Sequence, residues 1–286
     1  MSVGITRRAV GYRFSLTVEG SDALAAYFTR LFSGFAAVDA APDDVRWLVR
    51  PGAVEDRDRF EFSIDGEPRT TAQHAEGLVG AMVQTLNTEV VRSWAGPVCH
   101  AGGVAHDGCG ILLPADPESG KTTLTTGLVR AGFSYLSDEG VAFHPGTTRI
   151  EPYPKPLSLD PGAWFLFPEL EPQADFATDE YKRDQWQVAP TDIRADAVGA
   201  PCEARYVVFP RYLDGATTEL GPIGRAAALL ELAKNTFEFN TRSRAALEEL
   251  GAAPDVVLAD LLTITRHLGN EGLLDQVIPS TADTDA

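Results

Sequence analysis

The stretch Ile111-Leu-Leu-Pro-Ala-Asp-Pro-Glu-Ser-Gly-Lys-Thr-Thr-Leu124 decides how this chain reads. An apolar run ends at Leu113, a short polar loop follows, and Gly120-Lys121-Thr122 opens a helical pattern continued by Leu124, Leu128 and Val129. Strand, tight loop and helix is the layout of a phosphate-binding loop of the form G-x-x-x-x-G-K-[ST]. Its chemistry is electrostatic. Backbone N–H groups of the loop and of the helix start converge on one place and hold phosphate oxygens. The Lys121 ammonium would bridge the outer phosphates of ATP, and the Thr122 hydroxyl would bind Mg²⁺. The expected nucleotide-binding set is therefore Ala115, Asp116, Pro117, Glu118, Ser119, Gly120, Lys121, Thr122 and Thr123. The loop departs from the pattern at its start: Ala115 stands at the first glycine position, Pro117 removes a backbone donor, and Asp116 and Glu118 add negative charge. The competing reading of Gly120-Lys121-Thr122 is an ordinary helix start.

The flanks extend the same grammar. Cys99–Ala105 and Ile111–Pro114 read as strands joined by a turn at His106–Gly110, and a helix is predicted from Gly120 to Ala131. Phe133–Leu136 and Val141–Phe143 are further short strands, giving the alternation of a mononucleotide-binding core. The first of them runs into Asp138-Glu139. In a phosphotransferase one such carboxylate holds the metal and the other accepts a proton from the attacking hydroxyl. The competing reading is a solvated Asp-Glu-Gly turn. His100 precedes the loop strand; a lone strand histidine is more often a hydrogen-bonded core residue than a catalytic one.

Outward from this core, residues 1–95 read as a small α+β unit. Tyr12, Phe14, Leu16 and Val18 alternate with polar residues as a half-buried strand, and Ser21 caps a helix running to about Phe32. Val45–Val49 and Phe60–Ile64 are expected strands joined by a charged turn at Glu55–Asp58, and Thr71–Trp94 an expected long helix. After a proline-rich stretch, Ala204–Phe209 reads as a buried strand. The C-terminal third reads as helical, over Ile223–Lys234, Thr241–Leu250 and Pro254–His267. The expected organisation is 1–95, a nucleotide-binding domain over 96–278, and a polar tail over 279–286.

Composition removes several classes. The 286 residues carry 24 Lys+Arg against 41 Asp+Glu, a formal charge of −17, of which residues 1–95 hold −3 and the remainder −14. Such acidity argues against a nucleic-acid partner and against anionic membrane surfaces. No apolar run approaches the ~20 residues that span a bilayer, and no apolar stretch follows Arg7 and Arg8 as in a secretory signal. The three cysteines, Cys99, Cys109 and Cys202, form neither a disulfide framework nor a zinc spacing, and fit a reducing cytoplasm. A homo-oligomer is compatible with the sequence.

A resemblance adds to this. His100-Ala-Gly-Gly-Val, Gly110-Ile-Leu-Leu-Pro, Gly120-Lys121-Thr122, Val129-Arg-Ala-Gly-Phe and Leu136-Ser-Asp138-Glu139 follow in the order of the HPr serine kinase/phosphorylase catalytic domain. The chain resembles that family over about 100–143. Tyr153-Pro-Lys155-Pro-Leu-Ser-Leu-Asp-Pro-Gly162 and Val207-Val-Phe-Pro-Arg211-Tyr are similar to stand-alone HPr-kinase-related proteins. The resemblance implies an α/β P-loop core related to phosphoenolpyruvate carboxykinase, with ATP and Mg²⁺ as cofactors and a serine on a peptide or small protein as acceptor. It implies His100 beside the transferring phosphoryl group, Asp138 as base and Glu139 as the metal-side acid. Glu139 stands where the family has aspartate. The family's dephosphorylation signature is not found in Glu151–Leu170, so reverse phosphorylase activity is not implied. Lys155 and Arg211 are further cations that could meet phosphate, or serve only the surface and loops.

Overall fold

The computed structural model describes residues 2–52, 59–116, 119–171, 186–213, 216–237 and 257–263. The chain forms two compact units, Met1–Trp94 with Tyr153–Ala195 and Ala95–Pro152 with Asp196–Ala286. Both are mixed α/β, richer in strand than in helix.

The first unit opens with β1 (Ser2–Ala9), β2 (Tyr12–Glu19), α1 (Asp22–Leu31), β3 (Ala36–Ala37), β4 (Val45–Pro51), β5 (Phe60–Ile64), β6 (Glu67–Ala72) and α2 (Glu76–Ser93). The six strands lie in the order β3-β1-β2-β4-β5-β6. β2 and β4 pair in parallel because α1 carries the chain back across the sheet between them. Tyr12, Phe14, Leu16 and Val18 alternate inward as expected. The Ser21 hydroxyl accepts from the Leu24 N–H at 3.2 Å and starts α1, which buries Ala25, Phe28 and Leu31. Phe14 and Trp47 meet at a 4.6 Å centroid distance, and the buried Trp47 Nε1–H donates to the Tyr12 hydroxyl at 3.0 Å. The helix expected from Thr71 begins instead at Glu76. Thr70, Thr71 and Ala72 pair with Phe62, Glu61 and Phe60, where β-branched threonine sits well on a pleated surface. β1, whose alternation is weak, pairs residue for residue with β2 from Ser2↔Glu19 to Ala9↔Tyr12.

The second unit begins with β7 (Val98–Cys99), β8 (Ala101–His106), β9 (Cys109–Pro114), α3 (Lys121–Arg130), β10 (Ser134–Ser137), β11 (Val141–Phe143) and β12 (Arg149–Glu151). The chain then returns to the first unit through β13 (Leu157–Leu159), β14 (Trp186–Val188) and the single turn α4 (Pro190–Ile193). Within that unit the Tyr153 hydroxyl donates to Asn87 Oδ1 on α2 at 2.9 Å, and Arg30 on α1 bonds Asp192 at 2.6 Å. The second unit is completed by β15 (Cys202–Tyr212), β16 (Glu219–Pro222), α5 (Arg225–Lys234) and β17 (Val257–Thr263). Its sheet runs β10-β8-β9-β15-β12-β11-β7, with β17 on β15 and β16 on β17. Leu112, Leu136, Val141, Phe143, Ile150, Val207 and Phe209 form its core with Ala228 and Leu232 of α5.

The helical C-terminal third is only partly found. α5 matches the expected Ile223–Lys234 helix, but Val257–Thr263, inside the expected Pro254–His267 helix, is a strand parallel to Tyr206–Tyr212 of β15. Its near-continuous Val-Leu-Ala-Asp-Leu-Leu-Thr run is the pattern of a parallel strand, which short apolar segments share with helices. The expected Thr241–Leu250 helix, the Glu55–Asp58 turn and the tail from 279 lie outside the described residues.

Candidate functional site

Strand register brings the site together. β8 and β9 form an antiparallel hairpin in which Ala101 faces Pro114, so His100 lies at the end of the sheet where the loop leaves β9. β10 runs antiparallel to β8 and ends with Ser137 opposite Gly103, which delivers Asp138 and Glu139 to the same end. β9 and β10 thus point the same way, and their carboxyl ends form the crevice edge where α/β sheets bind ligands.

Gly120 caps α3 with φ 82°, a left-handed conformation that side chains rarely adopt, and Lys121 follows as the first helical residue. The helix crosses close over β8. A Cβ at Gly102 would sit 2.5 Å from Thr125 Oγ1 and 3.3 Å from both Leu113 Cβ and Lys121 Cγ, so only glycine fits beneath the first turn.

The Lys121 side chain is buried, 8% exposed, with Nζ 2.7 Å from His100 Nε2. An ammonium has only hydrogens to offer, so Nε2 accepts and the imidazole proton resides on Nδ1. Glu139 Oε1 lies 3.2 Å from that Nδ1 but outside hydrogen-bond geometry. Asp138 is 1% exposed; the Tyr135 hydroxyl donates to Oδ1 at 3.0 Å and the Thr122 hydroxyl points to Oδ2 at 3.4 Å. Adjacent residues of a strand alternate between faces, but β10 has ended. The Ser137 Oγ accepts the Glu139 and Gly140 N–H groups at 3.3 and 3.1 Å, turning the chain so that the two acids reach different partners.

The segment after α5 closes over this strand end. The His100 N–H donates to the Asn235 carbonyl, Cys99 bridges Thr236, and the Phe237 ring stands edge-on to His100 at 5.7 Å. Burial pushes the Cys99 thiol up to about 12, opposed by its hydrogen bond with Thr236 and by the Lys121 charge.

Of the expected residues, His100, Lys121, Thr122, Asp138 and Glu139 are brought together. Ala115 is buried at the end of β9, Asp116 is exposed, and Thr123 is half-buried. The Ser119 hydroxyl is buried with no partner among the described residues. Pro117 and Glu118 lie outside the described residues. Lys155 is fully buried in the first unit, its ammonium donating to the Pro156 carbonyl at 2.9 Å, and Arg211 is exposed on β15. Sequence reasoning missed Tyr135, Gly102, Asn235 and Phe237. Only Gly102 carried a local signal, as one of two glycines inside a strand pattern.

The donor set fits a Mg²⁺-nucleotide. A buried ammonium, an unpartnered buried hydroxyl at Ser119 and the free N–H groups that begin any helix supply positive potential and donors. Among the described residues no group of three His, Cys, Asp or Glu could hold a metal alone. Mg²⁺ keeps several waters and takes one or two protein oxygens beside phosphates, and the Thr122 hydroxyl and Asp138 carboxylate, 3.4 Å apart, are oxygens of that kind. Among the described residues no helix is long and apolar enough to cross a membrane.

No family model matches the chain, and the comparison with curated proteins found no match. Among solved structures, the HPr(Ser) kinase/phosphatase from Coxiella burnetii is similar to it at 13% identity, over 63% of this chain and 92% of that one, with a TM-score of 0.30. A likeness at that score bears neither on the fold nor on the activity.

Proposed function

We propose that the chain is an ATP-dependent, Mg²⁺-requiring phosphotransferase of HPr-kinase-like type, acting on a hydroxyl of a peptide or small protein. One observation carries this: the buried Lys121 ammonium at the start of α3, 2.7 Å from His100, at the sheet end where Asp138 and Glu139 arrive. A phosphate clamp needs a compact cation at a helix start, and phosphoryl transfer needs two carboxylates with different tasks beside it.

The geometry favours exchanging the roles that the resemblance implies for the two acids. Asp138, buried and facing the Thr122 hydroxyl, is placed to share Mg²⁺ with it; Glu139, a third exposed and beside His100, is placed to take the acceptor proton. The metal, when bound, would neutralise charge on the phosphates. Lys121 and the loop amides hold the γ-phosphoryl group while an acceptor hydroxyl forms a bond to its phosphorus. The bond to the bridging oxygen breaks, ADP leaves, and the hydroxyl proton passes to Glu139. His100, with its proton on Nδ1, stands 3.2 Å from that carboxylate and becomes available at Nε2 when Lys121 turns to phosphate.

The test is transfer of label from γ-labelled ATP to proteins or peptides encoded beside this gene. Wild type labels an acceptor and Lys121→Ala does not, while both unfold at similar urea concentration. Equal labelling by the variant would sink the assignment. Buried Ala115 at the first motif position, followed by acidic Asp116, favours a second reading: nucleotide binding without turnover. Tight ATP binding with no label on any peptide, protein or free metabolite would select it. Label on a metabolite alone would make the chain a small-molecule kinase.

A further inference from the structure

We infer that Tyr135 is a positioning residue whose phenol fixes the Asp138 carboxylate in the orientation that Mg²⁺-nucleotide binding requires; the inference rests on the reading proposed above. The carboxylate's two oxygens are divided between two hydroxyls. Oδ1 accepts from Tyr135 at 3.0 Å, and Oδ2 faces Thr122 at the start of α3 at 3.4 Å. With one oxygen tied to a rigid ring, the other is held toward the helix start.

The tyrosine is well anchored. Its side chain is fully buried, and its backbone lies between two neighbours. On one side it pairs with Val104 of β8; on the other its N–H donates to the Ala197 carbonyl at 2.6 Å and its carbonyl accepts from Gly199 at 2.9 Å. The close approach of that second neighbour depends on Gly199, where a Cβ would meet Leu136 Cδ2 at 2.8 Å and Ser134 Cβ at 3.1 Å. Residues three apart on a regular strand lie on opposite faces. The register irregularity between Tyr135 and Ser137 and the turn at Ser137 are what bring Asp138 back to its own phenol. A phenylalanine would fill nearly the same volume without the cost of a buried hydroxyl. The oxygen is therefore the feature the position adds, and Asp138 is where it is directed.

The experiment measures binding of a fluorescent ATP analogue to the full chain, with and without Mg²⁺. Groups that orient a metal's ligands typically carry about 10–100-fold in metal affinity, so Tyr135→Phe is expected to raise the half-saturating Mg²⁺ concentration by that factor while leaving Mg²⁺-free binding within about twofold. In Tyr135→Phe/Asp138→Asn the Mg²⁺ dependence should be no weaker than in Asp138→Asn alone, because the phenol acts through that carboxylate. Tyr135→Phe matching wild type, or effects that add in full, overturns the inference while leaving the phosphotransferase reading intact. Wild type lacking any Mg²⁺-dependent nucleotide binding overturns both. Should Tyr135→Phe fail to fold, wild type with ¹³Cζ-labelled tyrosine decides. The Tyr135 resonance should move when Mg²⁺ joins bound nucleotide and not when Mg²⁺ is added alone, and a stationary resonance overturns the inference.

Discussion

Replacing Gly102 by alanine adds one methyl group beneath the first turns of α3. That methyl would lie 2.5 Å from Thr125 Oγ1, against an ordinary contact of 3.4–4 Å, with Leu113 Cβ and Lys121 Cγ both at 3.3 Å. Retreat from Thr125 is blocked on two sides, so the helix start or the strand must move. Overpacking of this kind costs about 1–3 kcal/mol, offset by the ~0.5–1 kcal/mol that alanine gains over glycine in chain entropy. A net loss of about 1–2 kcal/mol should appear in urea unfolding as a lower midpoint at unchanged slope. Gly80→Ala is the internal control. It lies on the exposed face of α2 with nothing within 4 Å of where the new methyl would stand, and should stabilise by about 0.5–1 kcal/mol. Thr125→Ala supplies the rescue, because its buried hydroxyl has no partner among the described residues and its removal opens the space. Gly102→Ala/Thr125→Ala should regain at least half of the loss. A Gly102→Ala protein as stable as wild type, or a double variant that regains nothing, would refute the close-approach reasoning.

Three further outcomes are expected. Burial pushes the Cys99 thiol and the Tyr12 phenol up to about 12 and the Cys202 thiol up to about 11. These folded values lie above the unfolded ones, so the stability they contribute is full below about pH 8.5 and lost as pH rises through about 9 to 12, which a series of urea melts will show as a falling midpoint. The Arg13 hydrogen bond, helped by the Ala41 N–H, holds the Asp44 carboxyl below its ordinary value. Its contribution is present above about pH 4 and lost on acidification, and Asp44→Asn should flatten the acid limb of the same series. Ser137→Ala removes the acceptor for the Glu139 and Gly140 N–H groups and should cost about 1–3 kcal/mol; a variant melting with wild type would show that the turn does not depend on it.

Much of the chain was legible residue by residue. The period-2 burial of β2, the Ser21 cap of α1, the strand–loop–helix order through Lys121 and the acids just after β10 are all local patterns, fixed by φ/ψ preferences and apolar spacing within a few residues. Where locality failed, pairing decided. Thr70–Ala72 became strand because β5 lies beside it, and Val257–Thr263 became strand because β15 offers a parallel edge. An apolar run of that length fits a helix or a strand equally well until a neighbour is present.

The site divides the same way. Sequence alone picked out the candidate residues for phosphate chemistry, since Gly120-Lys121-Thr122 and Asp138-Glu139 are contiguous motifs recognisable from residue type and order. Tertiary structure alone decided which of them meet. The hairpin register sets His100 against Lys121, the end of β10 at Ser137 sends Asp138 to Thr122 and Glu139 to His100, and a strand irregularity returns Asp138 to Tyr135. Register and strand ends are properties of paired backbones, and no spacing within one segment encodes them.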